Sequence, residues 1–261
     1  MSQRGHILRL LLLTVVILVV STTFATDGRL ITINTRPGVS VSFYYMQNPT
    51  PKATVVLLPG GEGDILLKNN VPTSNNFLVR SRDYFVVHGF NVAVLNRPSD
   101  HELGELFRVS NEHIEDLRKA VEYLKNYAGL PVWLVGTSKG TVSATAAAIA
   151  FGNEELAGIV LTSSITEHDK VGAVPYQKLA VIRIPVLVLH HRYDECKNCK
   201  PSDASLIFRK LTNAPIKKLV MVKGGKNPIG DPCGSLHWHG YIGMEREAVD
   251  IISDWIANPV P

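Results

Sequence analysis

The feature that most constrains this chain is a unit it repeats: a short run of apolar, often β-branched residues that stops in a glycine-rich or polar turn and gives way to helical periodicity. Ala53-Thr54-Val55-Val56-Leu57-Leu58 is the first such run and ends abruptly in Pro59-Gly60-Gly61-Glu62-Gly63. Asn91 to Leu95, Val132 to Val135 and Pro185 to His190 repeat the pattern. Continuous apolar runs of this length suit strands buried on both faces. Alternation with helices then implies parallel strands joined by crossovers, an α/β class with a doubly wound, mostly parallel sheet.

The other elements fit that frame. Leu30 to Thr35 and Val39 to Met46, separated by Arg36-Pro37-Gly38, read as an antiparallel amino-terminal hairpin. Ser110 to Tyr127 is the best helix, with Ile114, Leu117, Val121 and Leu124 on one stripe and Ser110-Asn111-Glu112-His113 as its polar start. Further strands are expected at Gly158 to Thr162 and Lys218 to Val222, with helices from about Asp203 to Leu211 and Met244 to Ile256. The stretch from Ser164 to Ile184 is too short for a separate lid domain and long enough for a loop or short helix.

Residues 1–25 read as a secretory signal. Arg4 and Arg9 form a positive start, Leu10 to Val20 an apolar run, and Thr23-Phe24-Ala25 a small-residue cleavage site. That run is about half the roughly twenty residues a spanning helix needs, so no stable membrane anchor is expected after cleavage. Residues 26–261 are then one exported domain, periplasmic or secreted. The net charge of +4 falls further without Arg4 and Arg9, and no Lys/Arg cluster is dense enough to follow a phosphate backbone, which argues against nucleic acid as partner. The spacing at Gly60 does not suit a dinucleotide site, and no organic cofactor is expected. Oligomeric state is not encoded in any pattern here.

The three cysteines, Cys196, Cys199 and Cys233, come late in the chain. An oxidising compartment favours pairing. Cys196 with Cys199 would close a very short loop, so Cys233 is expected to pair with Cys196, or failing that with Cys199.

Gly136-Thr137-Ser138-Lys139-Gly140 lies directly after the strand Pro131-Val132-Trp133-Leu134-Val135 and directly before the small-residue helix Thr141 to Ala150. A serine at such a turn projects its hydroxyl beyond the strand's carboxyl end, and flanking side chains would collide with the neighbouring helix or strand. From this point the sequence resembles the α/β-hydrolase superfamily over essentially residues 26–261, without a large cap domain. The resemblance implies a nucleophile elbow with Ser138 as attacking residue and the amide of Lys139 as one oxyanion donor. It implies a second donor in the glycine turn, at Gly61 or Glu62. Pro59 departs from the histidine that many members carry before the first glycine.

A serine hydroxyl needs a base to take its proton and a carboxylate to fix that base's tautomer. Asp194, following the strand Pro185 to His190, stands where the family's acid usually lies, with Asp169 as fallback. His239, in Cys233-Gly234-Ser235-Leu236-His237-Trp238-His239-Gly240-Tyr241, is followed by Gly-Tyr, which resembles the family's His-Gly-aromatic entry to its last helix; His237 is the alternative base. The order Ser138, Asp194, His239 matches that of the family. A Cys196–Cys233 bridge would tie the acid's loop to the base's loop. Lys139 is discounted as base because adjacent side chains diverge at a sharp turn, and its ammonium is expected in solvent. Arg80, Arg82 and Glu62 either line the pocket or are solvated surface charges, the second reading having at least equal weight. No metal is expected, although His190, His191, Asp194, the cysteines, His237 and His239 make a metal-binding hydrolase one rival reading. A non-catalytic binding protein on the same fold is the other. The expected reaction is cleavage of a small or medium ester, amide, thioester and lactone cleavage needing the same residues.

Overall fold

The computed structural model describes residues 27–152 and 154–261. The expected leader, residues 1–25, lies outside the described residues.

In chain order the strands are β1 (Arg29–Arg36), β2 (Val39–Met46), β3 (Ala53–Leu58), β4 (Leu67–Lys68), β5 (Val71–Pro72), β6 (Phe90–Pro98), β7 (Val132–Thr137), β8 (Gly158–Thr162), β9 (Val186–His191) and β10 (Lys217–Val222). The α-helices are α1 (Phe77–Arg80), α2 (Arg82–Val87), α3 (Asn111–Ala128), α4 (Lys139–Phe151), α5 (Ala204–Lys210) and α6 (Glu245–Ala257). Eight strands form one sheet in the order β1-β2-β6-β3-β7-β8-β9-β10, while β4 and β5 pair as a small ribbon outside it. β1 runs antiparallel to β2 and β2 antiparallel to β6. All later neighbours are parallel.

Alternation along the central strands explains why their apolar runs are unbroken. Val56, Leu58, Leu134, Ile159 and Val188 point into a core shared with α3, α4 and α5. Their neighbours Val55, Leu57, Val135, Val160 and Leu189 point into a second core with α1, α2 and α6. Each inner strand therefore buries both faces. The stripe foreseen for α3 packs as expected, with Leu117, Val121 and Leu124 fully buried and Ile114 against the same cluster. Ser110 caps that helix, its hydroxyl accepting from the His113 amide at 3.2 Å, and Gly129 ends it in the left-handed region at φ 65°. Such a cap stabilises by about 1 kcal/mol.

Two departures stand out. β6 continues through Asn96, Arg97 and Pro98, because β2 supplies an antiparallel partner as far as Pro98. The pair α1–α2, absent from the sequence reading, is broken at Ser81, leaving helices of 4 and 6 residues. Between β8 and β9 the chain makes only two single-turn 3-10 helices, Val174–Tyr176 and Leu179–Val181, and no cap domain. Among the described residues no helix is long and apolar enough to cross a membrane.

Candidate active site

The loops that follow β3, β7, β9 and β10 meet at the carboxyl edge of the sheet. β7 ends there and the chain reverses into α4 at Ser138, whose backbone sits at φ 52°, ψ −125°. This is a strained region for a residue with a side chain, and it persists only where surroundings fix it. The Ser138 amide donates to the Thr162 carbonyl at 3.1 Å, and the Ser138 carbonyl accepts from the Thr141 amide at 3.0 Å. A Cβ on Gly136 would come within 2.6 Å of the Gly140 carbonyl oxygen, and one on Gly140 within 2.0 Å of the Leu58 oxygen. Strand, turn and helix close to this distance only with glycine at both positions, the collision anticipated from the sequence.

β9 carries the chain into a tight turn, where the Asp194 amide donates to the His191 carbonyl at 3.1 Å. Asp194 Oδ1 accepts from the Cys196 amide at 2.9 Å, and Oδ2 faces His239 Nδ1 at 2.8 Å. The Asp194 side chain is fully enclosed and that of His239 nearly so. A carboxylate can only accept, so Nδ1 carries the proton and Nε2 of the neutral ring is left with a lone pair. Ser163 Oγ donates to the His239 carbonyl at 2.8 Å and holds the backbone there. His237 points elsewhere, its Nε2 3.8 Å from Glu195. Asp169 is exposed on the segment after β8.

Ser138 and His239 line one narrow cleft of about 130 Å³, together with Gly60, Gly61, Phe77 and Gly234. The glycine turn lies against the serine: a Cβ on Gly60 would stand 2.8 Å from Ser138 Cβ. Gly61, at φ 59°, occupies a turn closed by a 3.2 Å bond from the Gly63 amide to the Gly60 carbonyl. Lys139 is the first residue of α4, so its amide is among those a helix leaves without an internal acceptor.

Several expectations need correction. The Lys139 ammonium is not free in solvent but pairs with Glu62 at 2.9 Å, bridging the two turns that flank Ser138. Arg80, Arg82 and Glu62 do not line the cleft. Arg80 pairs with Glu245 at 2.9 Å and donates to the Gly240 carbonyl, tying the His239 loop to α6, while Arg82 stacks over Tyr44.

Cys196 and Cys233 form the disulfide, with Cα atoms 4.4 Å apart, and Cys199 is free and buried. Burial pushes the Cys199 thiol well above its usual pKa, and the Asp194 charge adds to that while a hydrogen bond with Ser138 opposes it. Cys196, Cys199 and His239 present ligand-type atoms within 4.8 Å of one another. Cys196, however, spends its sulfur in the bridge, which leaves this set only Cys199 and His239, fewer ligands than a protein zinc site uses.

Of two further buried groups, the sequence reading named His190 only as a ligand in the rival metal reading and did not name Arg108. His190, at the end of β9, accepts from the Ser164 amide through Nε2 at 2.8 Å. Burial lowers its pKa to about 4, against the pull of Asp194. Its place at a strand end beside Asp194 was a usable signal. Arg108 is fully buried behind the glycine turn, and nothing in the sequence around it marks that position.

No protein-family model matches the chain, and no curated protein matches it in sequence. Solved structures do resemble it. An esterase of Pyrococcus furiosus, Pf2001, superposes with a TM-score of 0.64 at 15% identity over 88% of this chain and 90% of that one. XC6422 of Xanthomonas campestris, described as an α/β serine hydrolase without lid, gives 0.58 at 16% identity over 88% and 96%. Est1E of Butyrivibrio proteoclasticus gives 0.60 at 15% identity over 88% and 98%.

Proposed function

We propose that this chain, which has the α/β-hydrolase fold, is a serine hydrolase that moves a small acyl group from an ester to water. The observation that carries the proposal is the enclosed 2.8 Å contact between His239 Nδ1 and Asp194, opening on the cleft that contains Ser138 at a strained turn. In the proposed cycle His239 Nε2 takes the Ser138 proton as Oγ attacks the acyl carbon. The oxyanion is received by the amides of Lys139 and Gly61, a role supported by the free first turn of α4 and by the closeness of Gly60 to Ser138. His239 then protonates the departing alcohol, and water repeats the sequence to release the acid.

Export to the periplasm or beyond belongs to the same proposal. It is supported by the Cys196–Cys233 bridge, since such bridges persist in oxidising compartments.

The test is labelling by a fluorophosphonate, read by intact mass, beside Ser138→Ala and His239→Ala. The parent is expected to take one label and both variants none, with ester turnover falling roughly 10⁴-fold or more. A folded parent that takes no label would replace this proposal with the binding-protein reading.

A further inference from the structure

Arg108 is among the largest fully buried side chains, and among the described residues no carboxylate lies within hydrogen-bond reach of its guanidinium. Nε donates to the Leu103 carbonyl at 2.9 Å and Nη1 to Ser143 Oγ at 2.9 Å. Nη2 divides between the Pro59 carbonyl at 3.1 Å and the Gly61 carbonyl at 3.2 Å. Burial lowers its pKa to about 9, with Glu62 opposing, so the group remains a cation at neutral pH.

An isolated buried cation is costly, and an apolar side chain could fill the same space. The placement of the charge indicates its use. In a trans peptide the carbonyl of one residue and the amide of the next point to opposite sides. Arg108 therefore fixes the peptide planes Pro59–Gly60 and Gly61–Glu62 by their oxygens, and the Gly63 amide fixes the plane between them. All three planes of the glycine turn are held from behind, which sets the direction of the amides of Gly60, Gly61 and Glu62. A cation bound to these oxygens also polarises the two peptides on either side of the one that carries the Gly61 amide.

We infer that Arg108 is a positioning residue for the oxyanion turn: by holding the peptides on either side of the Gly61 amide it fixes the direction of that donor without touching substrate. This rests on the serine hydrolase reading. The polar second layer continues behind it, where Ser143 Oγ lies 2.9 Å from Nε2 of the buried His113.

The experiment compares Arg108→Gln and Arg108→Lys with the parent, using p-nitrophenyl acetate turnover and inhibition by phenylboronic acid, whose serine adduct is tetrahedral and anionic. Unfolding midpoints are measured on the same samples. The expected result for Arg108→Gln is a kcat lower by about 10- to 100-fold, less than loss of a direct donor, with KM within about 3-fold. Boronate affinity should fall in parallel, and Arg108→Lys, which keeps the charge without the fork, should lie between the two. Unchanged kcat in a folded Arg108→Gln protein would overturn the inference, as would a loss carried by KM alone. Failure of both variants to fold would also overturn it, assigning Arg108 to stability. A parent that neither turns over the ester nor takes a fluorophosphonate would instead bring down the hydrolase reading, and this inference with it.

Discussion

Asp194 accepts twice, from the ring of His239 and from the Cys196 amide, and both bonds come from the short segment and loop that the nearby disulfide joins. Around this pair the interior keeps other histidines neutral. Burial, helped by the charge of Arg108, lowers His113 to about 3, and burial lowers His190 to about 4. Both values lie below the ordinary histidine range near 6.5. Above about pH 6.5 the titration of neither residue affects stability, because folded and unfolded chains both carry neutral rings. As pH falls below that point the unfolded chain gains protons that the folded one refuses, so stability is lost down to about pH 4 for His190 and about pH 3 for His113. The slope is up to about 1.4 kcal/mol per pH unit for each ring. Denaturant unfolding at pH 7, 6 and 5 should show this decline, and His190→Asn, which keeps an acceptor for the Ser164 amide, should flatten it by up to about 1.4 kcal/mol per pH unit. Identical slopes in parent and variant would show that His190 does not carry that share.

At the scale of elements, the carboxyl edge of the sheet gathers four turns that the fold alone would leave to move independently. The Cys196–Cys233 bridge spans 37 residues and joins the turn after β9 to the loop after β10. Closing a loop of that length stabilises by roughly 4 kcal/mol in the chain-entropy picture. With both cysteines changed to serine, the unfolding free energy should drop by about 2–4 kcal/mol, and ester turnover should fall even where the protein stays folded, since Asp194 and His239 lose their tether. An unfolding curve that does not move would remove the bridge from this account. Spacing excluded a Cys196–Cys199 bridge and left Cys199 as the alternative partner of Cys233, while β2 and β3 were readable outright, their bounds coinciding with the apolar runs. The α1–α2 pair was not, because Ser81 breaks it into pieces too short to show a period. Arg108 was hidden for a different reason: most of its partners are backbone carbonyls, which any residue supplies. The Lys139–Glu62 pair joins two turns far apart in sequence, a contact with no local periodicity to betray it.

For the molecule as a whole, the decisive property is what stands over the cleft. The β8–β9 connection is spent in short 3-10 turns packed against the body, with Val174 and Leu179 in the core, so it supplies no wall for a long acyl chain. The cleft itself, at about 130 Å³, is well below the ~300–1,000 Å³ of pockets that enclose a drug-sized ligand. Each further methylene of a substrate is worth about 0.8 kcal/mol only if it is buried. Beyond a few carbons the chain would lie in water, where it adds nothing to transition-state binding. Selectivity should therefore peak at short acyl groups, with kcat/KM for p-nitrophenyl acetate or butyrate exceeding that for the palmitate by about 100-fold or more. The rate should also show no jump as a long-chain ester passes its micelle threshold, because no cap has to open at an interface. A profile rising steadily to the palmitate, or a sharp interfacial activation, would mean that the loops at the carboxyl edge rearrange to build an acyl channel around Ser138.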